Sequence, residues 1–189
     1  MKRSSRNYSD QVTCLIGRRR IVRKVRELAR EVSRDYRGKN PLVLGILKGS
    51  FIFMADLIRE MDIPVECGFI QASSYGRGTE SSGKVRVAGL EKLPIKGREI
   101  LLIEDIIDTG LTLKEITWTL KKKGAGKIKI CALLDKPARR KADIHPDYLG
   151  FTVPDRFLVG FGLDWDERYR ELPYVGYIKA GSKEQGARS

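Results

Sequence analysis

Residues 100–113 read ILLIEDIIDTGLTL, and the order of chemical types in this stretch decides the fold. Ile100, Leu101, Leu102 and Ile103 form a short apolar run of the kind a strand buried on both faces needs. Glu104, Asp105 and Asp108 follow at its carboxyl end, and Thr109-Gly110-Leu111-Thr112 then opens a helix reaching about Lys123. Carboxylates at the end of a buried strand add little to stability, but they suit a site. The small, hydroxyl-rich turn offers N–H groups and two hydroxyls to a phosphate at a helix N-terminus. The paired acids suit ribose hydroxyls or Mg²⁺, which takes oxygen ligands and often joins one or two carboxylates to substrate phosphates. A phosphate seat beside an acidic seat implies a phosphorylated sugar as ligand.

Outward from this stretch the chain alternates. Ile21, Val22, Val25, Leu28, Ala29 and Val32 recur at helical spacing over about 18–36, and Gly38-Lys39-Asn40-Pro41 stops that helix. Residues 42–47 read as a buried strand, 48–50 as a turn, 51–61 as an apolar helix and 63–72 as the next strand. Residues 73–84, SSYGRGTESSGK, have nothing to bury and read as a long loop. A short strand over 85–88 and a turn over 93–98 lead into the quoted stretch, and 127–134 is a further strand. Such alternation indicates an α/β domain with a central, mostly parallel sheet flanked by helices. Ligands of such sheets bind beyond the carboxyl ends of the strands, where Lys48, Asp108 and Lys136 all fall. After Lys136 the pattern breaks around Pro137, Pro146 and Pro154, which suggests a small hood over the sheet. One domain over 1–180 is expected, with the hood drawn from parts of 1–17 and 137–180, and 181–189 as a polar, flexible tail.

Composition narrows the class. The 189 residues, 41% hydrophobic and 32% charged, can bury a real core. No apolar run approaches a bilayer span, and the basic N-terminus lacks the apolar centre of a secretory signal, so a cytoplasmic protein without membrane contact is expected. Cys14, Cys67 and Cys131 are scattered and form no CxxC pair; Cys67 and Cys131 lie in strand-like segments and read as small core residues. The only histidine, His145, has no partners for a Ser-His-Asp mechanism. Net charge is +13, and residues 1–40, with 13 Lys/Arg against 4 Asp/Glu, hold +9 of it. Without interleaved aromatics this segment reads as a solvated helix face with a general pull on anions, and nucleic acid is not expected as a partner.

Residues 104–112, EDIIDTGLT, resemble the phosphoribosyl-diphosphate signature of type I phosphoribosyltransferases, in the form carried by the 6-oxopurine branch, the hypoxanthine-guanine phosphoribosyltransferases. A second match is 154–164, PDRFLVGFGLD, followed by 168–178, RYRELPYVGYI, and the likeness extends over roughly residues 10–180. It implies transfer of phosphoribose from 5-phospho-α-D-ribose 1-diphosphate to N9 of hypoxanthine or guanine in purine salvage, with Mg²⁺ and a homodimer or homotetramer. Asp108 would be the general base or acid at purine N7. Glu104 and Asp105 would hold ribose hydroxyls, directly or through Mg²⁺, and Thr109, Gly110, Leu111 and Thr112 would seat the 5′-phosphate. Leu47, Lys48 and Gly49 resemble the diphosphate loop, where family members often have a non-proline cis peptide. Ser74 and Tyr75 resemble the family's mobile lid. Lys136 would donate to the purine O6, Phe157 would stack on the ring and the Leu158 main chain would read the base edge. Asp164 would sit near the purine and a second Mg²⁺, and Arg170 would contact diphosphate.

Two alternatives compete. A phosphoribosyltransferase for xanthine or uracil is one, though Lys136 and Phe157 argue against uracil. A regulator that binds RNA or DNA on the same fold is the other; the basic N-terminal segment motivates it, and the presence of Asp108 argues against it.

Overall fold

The computed structural model describes residues 11–74 and 85–178. In chain order its elements are β1 (Val12–Ile16), α1 (Arg18–Asp35), β2 (Leu42–Leu47), α2 (Phe51–Glu60), β3 (Glu66–Ser74), β4 (Val85–Ala88), β5 (Ile100–Ile107), α3 (Leu111–Lys122), β6 (Ile128–Asp135), β7 (Tyr148–Thr152), β8 (Leu158–Val159) and β9 (Val175–Ile178). The main sheet has the order β4-β3-β2-β5-β6-β7. All its pairings are parallel except β3 with the edge strand β4. A second, antiparallel sheet of order β1-β9-β8 forms the hood.

Apolar spacing explains the layers. α1 buries Ile21, Val25, Leu28, Ala29 and Val32, three or four residues apart, and leaves its arginines outside. It packs with Phe53, Met54 and Leu57 of α2 against Leu101 and Ile103. On the opposite face Leu113, Ile116 and Leu120 of α3 meet Leu44, Leu102 and Ile130. Each such side chain contributes about 1.5–3 kcal/mol by leaving water, so both faces of β5 are committed and the strand cannot slip. No described helix is long and apolar enough to cross a membrane.

The strand order places the site. From β2 the chain passes through α2 to β3 on one side, and β5 then returns on the other side of β2. The connections leaving β2 and β5 diverge, and the carboxyl ends of neighbouring strands there open the crevice in which α/β sheets bind ligands.

Five local expectations need correction. β3 begins at Glu66 rather than at residue 63, because Ile63 and Val65 pack against the core from a loop. It then runs to Ser74, since Ser73 and Ser74 pair with Arg86 and Val85, so the strand takes in the first residues of the Gly/Ser-rich stretch. β5 continues through its acids to Ile107 because Ile106 and Ile107 keep their register with Leu134 and Asp135. The segment after Lys136 is divided: β7 pairs with β6 as an edge of the main sheet, and only β8, β9 and their loops join the hood. Cys131 is buried as expected, but Cys67 is exposed, since it shares the uncovered side of β3 with Phe69.

Candidate active site

The loop after β2 starts with a cis peptide between Leu47 and Lys48, as the resemblance implied. Gly49 is held against Asp105: a Cβ at residue 49 would overlap Asp105 Oδ2. Gly162, with φ of +100°, presses on the other side, where a Cβ would overlap the Gly49 carbonyl. Only glycine fits both places. Arg170 Nη1 donates to the Gly162 carbonyl at 2.7 Å. The hood therefore meets the first loop backbone to backbone, and the Asp105 carboxylate packs directly on Gly49, with no room for a further side chain at either contact.

At the end of β5 the two-residue alternation slips. Leu101 and Ile103 face the α1 side, Leu102 and Ile107 face the α3 side, and Ile106 faces the α1 side again. The consecutive side chains of Glu104 and Asp105 interact at this end of the strand. Burial first, then the charge of Asp105 and a hydrogen bond with it, push the Glu104 carboxyl well above the usual carboxylate range. Burial also raises Asp105, opposed by hydrogen bonds from Glu104 and from the Ile106 N–H and by the charge of Arg170. Asp105 Oδ1 accepts that N–H at 2.9 Å.

Beyond β5, Gly110 occupies the N-cap of α3 with φ of +78°, a position that side chains avoid. Asp108 is therefore not the helix cap, which removes capping as the explanation for a carboxylate at that position. Thr109 Oγ1 accepts the Leu111 N–H at 3.4 Å, and no acid in the first turn opposes an anion there. A cavity of about 130 Å³ is lined by Glu104, Asp108, Thr109, Gly110 and Thr112. Arg140 braces the turn from behind: it pairs with Asp135 and donates to the Asp108 carbonyl at 3.1 Å.

A second cavity, of about 430 Å³, shares Ile106 and Asp108 with the first, and its other walls include Lys136, Phe157, Leu158 and Asp164. Lys136 directly follows β6 and is only 5% exposed, with Asp155 Oδ1 at 3.9 Å. Phe157 is 63% exposed, an apolar ring resting edge-on against Trp165 with centroids 6.5 Å apart. Leu158 is buried in β8. Arg139 Nε lies 3.3 Å from Asp108 Oδ1, and its Nη1 lies 3.8 Å from Asp155.

The structure thus gathers Leu47, Lys48, Gly49, Glu104, Asp105, Asp108, Thr109, Gly110, Thr112, Lys136, Phe157, Leu158, Asp164 and Arg170 around the switch point, with Leu111 exposed at the start of α3. Ser74 closes β3, and Tyr75 lies outside the described residues. Asp164 does not join Glu104 and Asp105 in one metal-binding group; no group of three or more such ligands occurs among the described residues. It pairs instead with Arg170 at 2.8 Å. Among the described residues, three buried side-chain polar atoms lack a hydrogen-bond partner, and they belong to Glu104 (Oε2), Asp108 (Oδ1) and Arg170 (Nε). Buried polar atoms left without a partner are costly; Asp108 Oδ1 has the Arg139 guanidinium beside it, whereas Glu104 Oε2 and Arg170 Nε have acceptor and donor capacity open to a ligand. Sequence reasoning missed Arg139, Arg140, Gly162, Trp165 and Glu167. Gly162 carried the clearest signal, as a glycine inside a quoted motif.

The chain matches the phosphoribosyl transferase domain family over residues 16–166. It is 51% identical to the hypoxanthine-guanine phosphoribosyltransferase of Lactococcus lactis, over 87% of this chain and 90% of that protein. The Bacillus subtilis enzyme of the same name is 50% identical, over 87% of this chain and 92% of that protein. The crystal structure of a hypoxanthine phosphoribosyltransferase from Staphylococcus aureus superposes with a TM-score of 0.87 at 43% identity, covering 94% of this chain and 97% of that one. With half of the aligned residues identical across nearly the whole length of such relatives, the chain belongs to the hypoxanthine-guanine phosphoribosyltransferase family.

Proposed function

We propose that this protein transfers phosphoribose from 5-phospho-α-D-ribose 1-diphosphate to N9 of hypoxanthine or guanine, forming IMP or GMP and diphosphate in purine salvage. The observation that carries the residue assignment is the meeting of the two cavities at Asp108. The smaller suits a phosphate at a helix N-terminus and the larger suits a purine, so the bond between sugar and base would form beside that carboxylate.

In this reading the bond from C1′ to the diphosphate oxygen breaks, the N9–C1′ bond forms, and the proton on N7 passes to Asp108. Thr109, Gly110, Leu111 and Thr112 hold the 5′-phosphate through N–H groups and hydroxyls. Lys48 and Arg170 hold the diphosphate, with the Leu47 and Gly49 main chain beside it. Glu104 and Asp105 take the ribose hydroxyls and favour the positive charge that develops on the sugar. Lys136 can only donate, so it selects a 6-oxo over a 6-amino purine. Phe157 stacks on the base, and the Leu158 main chain reads its edge.

The acids fit Mg²⁺. Glu104 Oε2 is a buried carboxylate oxygen without a partner, and its neighbour Asp105 carries a second carboxylate. Two carboxylates together with substrate oxygens are a usual Mg²⁺ environment. When bound, the ion supplies charge neutralisation for the leaving diphosphate, and Asp164 is the side chain for a second ion. The assembly in this reading is a homodimer or homotetramer.

The test is a spectrophotometric assay with Mg²⁺, phosphoribosyl diphosphate and, separately, hypoxanthine, guanine, xanthine, adenine and uracil. Turnover of hypoxanthine and guanine, without adenine or uracil, is expected. Binding of phosphoribosyl diphosphate without turnover of any base would overturn the enzyme reading and favour a regulator.

A further inference from the structure

Between Trp165 and Arg168 the chain turns in two residues, Asp166 and Glu167. Trp165 and Arg168 exchange backbone hydrogen bonds of 3.1 Å each, as in a tight β-hairpin. Both turn residues have positive φ, 53° and 57°. Turns of this form prefer Asn-Gly or Asp-Gly, because the second position is strained for any residue with a Cβ. Asp166 follows the preference and Glu167 departs from it. A residue that breaks a local rule needs a gain elsewhere.

The Glu167 side chain shows where the gain lies. Its Oε1 is 3.0 Å from Lys48 Nζ and its Oε2 is 3.2 Å from Arg170 Nη2, so each oxygen takes one cation. Asp164 Oδ1 also meets Arg170 Nη2 at 2.8 Å, while Asp164 Oδ2 accepts the Glu167 N–H at 3.0 Å. The turn is thus anchored through its backbone, independently of the Glu167 carboxylate. That carboxylate is on the open side: the side chains of Glu167 and Lys48 are 63% and 60% exposed, against 19% for Arg170. It can leave without opening the core.

We propose that Glu167 is a built-in stand-in for the diphosphate of the sugar substrate, bridging Lys48 and Arg170 until the substrate displaces it. The proposal rests on the assignment of these two cations to the diphosphate made above. A diphosphate carries more charge and more acceptor oxygens than one carboxylate, so it wins the competition. The carboxylate, itself 119 residues from Lys48 in sequence, meanwhile keeps two mutually repelling cations in place, at a cost in substrate affinity.

The test uses the intact protein and titrates inorganic diphosphate with Mg²⁺ into it by calorimetry. Glu167→Gln removes the competing charge, and Glu167→Gly does so with the residue the turn prefers. Both variants are expected to bind diphosphate roughly twofold to fivefold more tightly, the scale of an exposed ion pair. The KM for phosphoribosyl diphosphate should fall in step while the KM for hypoxanthine stays put. A merely structural role for Glu167 would weaken binding instead. Unchanged or weaker binding in both variants overturns the proposal, even if the wild type turns over purines. Lys48→Met separates the two readings: if it leaves diphosphate affinity unchanged, the assignment of Lys48 to the diphosphate is the part that fails, and the proposal falls with it.

Discussion

At Asp108 the two cavities meet, and the two oxygens of the carboxylate are not equivalent. Oδ1 is buried beside Arg139, while the side chain as a whole is 40% exposed, so its accessible part lies elsewhere, Oδ2 included. One oxygen faces the guanidinium and the other is left for the base. Asp108→Asn keeps the shape and loses the proton acceptor; kcat should fall on the order of 10²- to 10⁴-fold, with the KM for phosphoribosyl diphosphate moving little. Equal loss of both would assign Asp108 a structural role. Arg139→Gln should lower kcat about tenfold in the wild type and add nothing in the Asp108→Asn background, because the two side chains act as one unit. Equal losses in both backgrounds would place the action of Arg139 elsewhere. This difference between neighbours also shows what the sequence makes legible. Asp108 is readable because it stands within nine consecutive residues of coherent chemistry. Arg139 lies among ordinary surface charges, and only the fold brings it 3.3 Å from Asp108.

Helices α1, α2 and α3 follow from apolar spacing, and β2, β5 and β6 from apolar runs, because burial on one or two faces leaves a period in the sequence. β7 leaves little: Tyr148–Thr152 is five residues long, near prolines, and is a strand because β6 offers it a free edge. A polar cluster ties it into the molecule. Lys129 of β6 and Tyr148 of β7 both reach Asp35 at the end of α1, Tyr148 Oη donating to Asp35 Oδ2 at 2.8 Å. The hydrogen bond from Lys129, and next that from Tyr148, hold the Asp35 carboxyl below its ordinary 3.8. A depressed folded-state value means stability that is complete above pH 3.8 and lost as the pH falls through that lower value. Asp35→Asn should therefore cost about 0.5–1 kcal/mol at neutral pH, a figure kept small because solvent screens this partly exposed cluster. Urea midpoints measured from pH 7 downward should converge for the two proteins below pH 3.8. A constant gap across that range would mean that packing, not charge, makes the difference.

For the molecule as a whole, the net charge of +13 is unevenly placed. Arg19, Arg23, Arg26, Arg30 and Arg34 follow one another at three- or four-residue spacing along α1, and all are exposed. Glu27 lies near Arg23 and Lys24, and Glu60 pairs with Arg26. Arg19, Arg30 and Arg34 form no ion pair among the described residues. The helix buries its other face in the core, so this stripe points away from the main sheet. Such a surface attracts any polyanion, and its range shrinks with the Debye length, about 10 Å at 0.1 M salt. Composition alone shows the charge excess, whereas the alignment on one face depends on the helix being as regular as it is. If the stripe is only a solvated face, fluorescence anisotropy with a labelled single-stranded RNA should show association near 20 mM salt that is gone by roughly 200 mM, without sequence preference. Replacing Arg19, Arg30 and Arg34 by Gln should flatten the log–log salt slope by about 2, since each phosphate contact on a single strand contributes about 0.7. Binding that persists at about 150 mM salt and favours one sequence would require a built nucleic-acid site, with specific contacts that a screened charge field does not supply.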